Sequence, residues 1–298
     1  METANEKTAI STRPPGTRDI RIPAMDGFAL TGTAYEPDTP TDRAVLITCG
    51  TGIRRRYYDK FARFLQDQGF YAITFDYRGI GDSRLSALRG FAARMHEWGR
   101  DDLGGAIRWI DQTVQPAKLF IVGHSAGAQF IGLAPNCDRV EAVVMVTPPH
   151  GYWKHWPPLQ RPVLVLFWHA VMPLLARGLG FFPSKVFRLG ESLPRDVALE
   201  WASWCSQPGY LFGSGDTLDL SRYPTLTFPT LVYSFKDDVF APRPAVEALL
   251  REYPGAAITH KHLAPADIDA KHIGHFGFFR DRFRDTLWRE TADWLRRH

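Results

Sequence analysis

Apolar residues along this chain fall into short unbroken runs separated by stretches in which they recur every three or four positions. Runs of four to eight apolar, β-branched-rich residues read as buried strands, and the longer periodic stretches read as helices. Residues 18–23 and 28–35 are extended runs around Asp26-Gly27, a turn dipeptide, and so predict a β-hairpin. Strands are then expected at 44–49, 71–75, 118–122 and 140–146, with helices at 58–68 (closed by Gly69), 98–114 and 126–133 between them. Strands without polar alternation, spaced by helices, are what a mostly parallel sheet needs when both its faces are covered. The chain therefore predicts an α/β fold.

The alternation stops at Pro148-Pro149 and resumes with a strand at 230–233, a helix at 243–252, a strand at 257–262 and a last helix at 281–296. The intervening stretch contains Trp153, Trp156, Trp168, Trp201 and Trp204 in a pattern of helices without strands. A structureless loop of that length is improbable in a compact domain, so residues 149–223 are expected to form a helical cap inserted between two sheet strands. The organisation expected is a flexible N-terminus at 1–17, a core made of 18–148 and 224–298, and the cap. The most apolar stretch, 163–176, is broken by His169 and Pro173 and bounded by Arg161 and Arg177. Crossing a bilayer takes roughly 20 apolar residues, so no membrane span is expected and the stretch reads as a buried or lid helix.

Composition narrows the class. With 298 residues, 45% hydrophobic and 23% charged, the chain has the balance of a globular protein with a large core, not of a disordered or collagenous one. The net charge of +4 is scattered and gathers into no basic stripe, so nucleic acid is not an expected partner. Cys49, Cys137 and Cys205 are odd in number and far apart, which fits neither a disulfide framework nor a metal site. The polar N-terminus lacks the apolar region of a signal peptide, and a reducing, cytoplasmic setting is expected.

Gly123-His124-Ser125-Ala126-Gly127 follows an expected strand and opens an expected helix, the context in which a G-x-S-x-G sequence acquires chemical meaning. The glycines permit a sharp turn that leaves Ser125 exposed beside a helix N-terminus; the plain alternative is a glycine-rich turn whose serine caps the helix. A serine hydroxyl needs a base to take its proton and a carboxylate to orient that base. Candidates follow in that order downstream: Asp237 and Asp238 just past the strand at 230–233, then His272 and His275 past the strand at 257–262.

In these motifs the chain resembles the α/β-hydrolase superfamily, over nearly all of residues 18–296. The resemblance implies a Ser-Asp-His triad and no cofactor. In that superfamily the acid is commonly the fourth residue of a G-x-x-D segment; here Ser234 stands in place of the glycine and the fourth residue is Asp237, with Asp238 left as the alternative. The histidine usually sits in a Gly-His pair, which favours Gly274-His275-Phe276 over Lys271-His272. Oxyanion donors are expected from the backbone of Ala126 and from Thr51 or Gly52 in the turn after the strand at 44–49. The segment 76–83, Asp-Tyr-Arg-Gly-Ile-Gly-Asp-Ser, resembles a superfamily loop that braces the site.

The function expected is serine hydrolysis of a carboxylic ester of a small apolar or aromatic substrate, with Trp201 and Trp204 of the cap touching that substrate. Acyl transfer or thioester cleavage on a carrier-bound acyl group, and ligand binding without catalysis, remain as alternatives. Arg54-Arg55-Arg56 reads either as a solvated face or as a docking patch for an anionic acyl carrier. His260 and His262 share a strand face without a third ligand in sequence, so metal binding is not expected. Nothing in the sequence sets the oligomeric state.

Overall fold

A computed structural model describes residues 14–84, 87–187 and 189–298. Of the N-terminal stretch expected to be flexible, residues 1–13 lie outside the described residues. Ten strands are described: β1 (Thr17–Pro23), β2 (Ala29–Tyr35), β3 (Arg43–Thr48), β4 (Tyr71–Phe75), β5 (Lys118–His124), β6 (Ala142–Val146), β7 (Phe181–Phe182), β8 (Leu193–Pro194), β9 (Pro229–Phe235) and β10 (Ala257–Leu263). Eight of them form one sheet in the order β1-β2-β4-β3-β5-β6-β9-β10. β1 and β2 pair antiparallel as the hairpin expected around Asp26-Gly27, and β2 meets β4 antiparallel; every later pairing is parallel.

The burial pattern explains this order. Every residue of β4 and β6 is buried, and β3 and β5 each have only their first residue partly exposed, so these strands can occupy only the middle of a covered sheet. β10 carries His260, Lys261 and His262, is half-exposed along its length, and closes the edge. From β3 the chain passes to β4 on one side and then to β5 on the other. The loops after β3 and β5 therefore diverge, and a crevice opens at their carboxyl ends, the usual ligand position in open α/β sheets.

Between β6 and β9 lies the insertion. It contains a continuous helix at Arg161–Leu179, a second at Arg195–Ser206, and short helical turns. Two features differ from expectation. β7 and β8 pair antiparallel, so the insertion is not free of strands. The apolar stretch is also longer than the 163–176 read from sequence and is neither broken nor buried. Pro162 falls in the first turn of the helix, where no N–H is needed, and Pro173 is absorbed next to a wide π-type turn at Phe167–Val171. By length and composition the helix could cross a membrane, and only 11% of that stretch is buried. Glu200 ties the insertion to the core, accepting from the backbone N–H of His96 at 2.9 Å and lying 2.8 Å from its Nδ1.

Candidate active site

Ser125 sits at the sharp turn between β5 and the helix Ala126–Gln129, with φ 51° and ψ −118°, a region that L-residues rarely occupy. Close packing around the turn holds it there. A Cβ on Gly123 would come within 2.7 Å of the Ala128 Cα, and one on Gly127 within 2.5 Å of the Thr48 carbonyl oxygen. Both glycines of the motif are thus required by backbone approach. The Ser125 N–H donates to the Val146 carbonyl at 2.9 Å, fixing the turn to the end of β6.

His275 is buried in a short helix, Gly274–Gly277, and its Nδ1 lies 2.8 Å from Oδ2 of Asp238, whose side chain is fully buried. The carboxylate expected to face His275 was Asp237, but the contact is made by Asp238. Asp237 instead accepts the backbone N–H groups of Ile273 at 2.8 Å and Gly274 at 3.1 Å, and pairs with the exposed His272 at 2.6 Å. Burial raises its pKa, but those two N–H groups and His272 outweigh it, and the carboxyl is held below its usual range. The two aspartates thus divide the loop: one fixes the backbone that leads to His275, the other meets its ring. Asp238 is itself anchored by Oδ1, which accepts from the N–H of Phe240 at 2.8 Å and of Ala241 at 3.0 Å.

Beneath Ser125, the His124 ring joins three loops. Its Nε2 lies 3.0 Å from the His275 carbonyl, which can only accept, so Nε2 carries the proton. Its Nδ1 must then accept from the Tyr58 hydroxyl, 2.7 Å away, and that hydroxyl accepts from the Gly50 N–H at 2.9 Å. Burial drives the His124 pKa well below the usual histidine value, keeping the ring neutral and this proton arrangement fixed. Neither Tyr58 nor His124 carries such a role in its local sequence; only their meeting in space reveals it.

Ser125, His275, Gly50, Thr51 and Ala126 all border one cavity of about 560 Å³. The remaining wall is mostly apolar, with Leu164, Phe167, Trp168 and Trp201 from the insertion facing Phe240 and Phe276 from the loops that bear Asp238 and His275. Of the two expected donors after β3, Thr51 faces the cavity. Gly52 does not border it; its φ of 70° turns its carbonyl to accept the Glu191 N–H at 2.7 Å. Trp201 lines the cavity as expected, whereas Trp204 does not: it is buried in the insertion with its ring 5.9 Å from Tyr210. Sequence reasoning missed Trp168, Phe240 and Phe276. The aromatic residue after each catalytic-type motif was the available signal for the last two.

Of the arginine run, Arg54 and Arg56 are exposed and only Arg55 turns inward. Arg55 is buried and paired with Asp76, with Asp82 at 2.7 Å and with Asp19 at 3.1 Å, while Arg54 reaches Glu191 at 2.8 Å. The segment after β4 is tied down by ion pairs and hydrogen bonds to its neighbours. Asp76 anchors Arg55, Arg78 bonds Asp102 at 2.7 Å and Asp26 at 2.8 Å, and the Ser83 hydroxyl donates to the Asp76 carbonyl at 2.7 Å.

With the fold and this constellation described, the class follows: the chain belongs to the alpha/beta hydrolase family, whose model matches residues 44–286. It is 35% identical over 95 residues to lysophosphatidylserine lipase ABHD12 of Danio rerio; the match takes in 29% of this chain and 22% of that protein. Among solved structures, a soluble variant of monoglyceride lipase from Saccharomyces cerevisiae superimposes with a TM-score of 0.66 at 16% identity, covering 99% of both chains. An esterase of Pyrococcus furiosus superimposes with a TM-score of 0.57 at 16% identity, covering 94% of this chain and 90% of the other. At these identities the structural likeness speaks for the fold.

Proposed function

We propose that the protein is a serine hydrolase that cleaves a carboxylic ester of an apolar substrate through an acyl-enzyme, with Ser125 as nucleophile, His275 as base and Asp238 as its orienting acid. The observation that carries the proposal is the 2.8 Å contact of His275 with Asp238 on the wall of the same apolar cavity that the strained Ser125 borders. With Nδ1 engaged by the carboxylate, Nε2 is the nitrogen left to take the Ser125 proton. The Ser125 Oγ then bonds to the acyl carbon, and the carbonyl oxygen gathers negative charge where the N–H groups of Ala126 and Thr51 can stabilise it. Collapse breaks the ester C–O bond, and His275 returns its proton to the leaving alkoxide. A water molecule repeats the sequence and frees the acid and Ser125.

Residues 149–223 act in this reading as a cap that supplies the acyl-binding wall and excludes water around the reacting carbonyl. Similarity to lipases and to an esterase is in keeping with an ester substrate. The test is a hydrolysis screen over p-nitrophenyl esters of increasing acyl length, with thioester and amide controls. Ester turnover whose kcat/KM rises with acyl length, until the cavity is filled, is the expected result. Preferred cleavage of the thioester or amide controls would overturn the ester assignment.

A further inference from the structure

The helix Arg161–Leu179 presents an apolar stripe to the outside. Leu159 just before it, then Val163, Leu166 and Leu174, are 94%, 69%, 60% and 67% exposed, and they recur at the spacing of one helix face. Isolated exposed leucines are ordinary; a continuous row of this kind marks a contact surface. The row runs into the mouth of the cavity, because Leu159 and Val163 also border it, opposite Val239 and Phe240, which are 62% and 43% exposed. The Trp156 indole N–H donates to the Val239 carbonyl at 2.9 Å and joins the two sides of this rim.

Charge says what the surface fits. From Ala142 to Gly190 the sequence contains Lys154, Arg161, Arg177, Lys185 and Arg188 and not one aspartate or glutamate. Lys154 before the helix and Arg177 near its end are both exposed. An apolar stripe with cations beside its ends suits an interface of acyl chains and anionic headgroups. The helix cannot leave the protein to span that layer without dismantling the cavity. Its inner side buries Met172 and Ala176, sets Trp168 against Trp201 with ring centroids 4.9 Å apart, and gives Leu164 and Phe167 to the cavity wall.

We propose that this face docks on an anionic lipid surface. The helix lies along the boundary between headgroups and acyl chains with the cavity mouth turned toward the lipid, so that an apolar ester passes into the cavity without crossing water. The ester part of this inference rests on the function proposed above; the docking does not.

The experiment is flotation of the full chain with vesicles of phosphatidylcholine alone and of phosphatidylcholine mixed with phosphatidylglycerol. The wild type and the Ser125→Ala variant are expected to float alike with the mixed vesicles and far less with neutral ones. The double variant Leu166→Asp/Leu174→Asp, altered only at exposed positions outside the cavity wall, is expected to bind roughly tenfold or more weakly. It should still hydrolyse a dissolved short-chain ester at the wild-type rate. Since flotation needs no turnover, loss of activity in the screen above leaves this test intact. Wild type that floats with neither vesicle, or equally with both, or a double variant that floats like wild type, overturns the proposal. So does a sedimentation result in which wild type is a dimer, the double variant is a monomer and neither floats, which would assign the face to a second copy of the chain.

Discussion

Asp238 Oδ2 lies 2.8 Å from His275 Nδ1, while the adjacent Asp237 is held in the backbone turn that precedes the histidine. Adjacent carboxylates on one loop thus have separable duties. Asp238→Asn is expected to lower kcat by roughly three to four orders of magnitude, because the amide favours the wrong imidazole tautomer. Asp237→Asn should cost far less, roughly tenfold, through a loosened turn. Steady-state kinetics on one small ester decides between them, and the reverse ranking would return the acid role to Asp237.

The two tryptophans of the helix Arg195–Ser206 should behave differently although only two residues separate them. Trp201 borders the cavity, so Trp201→Ala is expected to lower kcat/KM for a long-chain ester relative to an acetate ester by roughly tenfold. Trp204 is buried away from the cavity, so Trp204→Ala should leave that ratio unchanged and destabilise the fold by about 3 kcal/mol. An acyl-series comparison with urea unfolding of both variants measures each quantity.

Tyr58 links the loop after β3 to the His275 loop through His124. Tyr58→Phe leaves the Gly50 N–H and His124 Nδ1 buried without this partner, at an expected cost of about 1–3 kcal/mol. On the proposed mechanism the lost bonds position Ser125 and His275 and bind no substrate, so kcat should fall roughly tenfold with little change in KM. A rise in KM at constant kcat would contradict this role.

Acid should weaken the fold through its buried histidines. Burial, with His155 and Arg251 nearby, pulls the His150 pKa from 6.5 down to about 4, so the folded protein keeps this ring neutral where the unfolded chain is protonated. Stability therefore falls as pH drops from about 6.5 toward 4, by up to about 1.4 kcal/mol per pH unit for this one group, and His124 adds in the same direction. Urea unfolding across that range should give a shallower decline for His150→Phe than for wild type. An unchanged slope would contradict the assignment.

The α/β fold, the hairpin and the parallel strands were legible because unbroken apolar runs such as 71–75 and 142–146 admit few other positions than the middle of a covered sheet. Ser125 and His275 stood out in the sequence because their flanking glycines answer a local steric demand, and the structure places both on one cavity. The choice between Asp237 and Asp238 was not legible. It depends on which carboxylate turns toward a histidine 37 positions away, and counting from Ser234 misplaced it by one. Arg55 misled for a similar reason: its partners are distant in the chain, Asp19 in β1 and Asp76 and Asp82 in the segment after β4, so one buried arginine between two exposed ones looked like surface. The helix Arg161–Leu179 is largely exposed where a buried helix was one reading, because an apolar pattern alone does not say how much of a helix faces the core.

Whether Ser125 is the nucleophile is read most directly by intact-protein and peptide mass spectrometry after treatment with an active-site-directed fluorophosphonate. One phosphonyl adduct on Ser125 is expected, absent from Ser125→Ala and strongly slowed in His275→Ala, whose circular dichroism matches wild type. A folded wild-type protein that takes up no label, or that carries it on a residue other than Ser125, would contradict the assignment of Ser125, His275 and Asp238 as a catalytic unit.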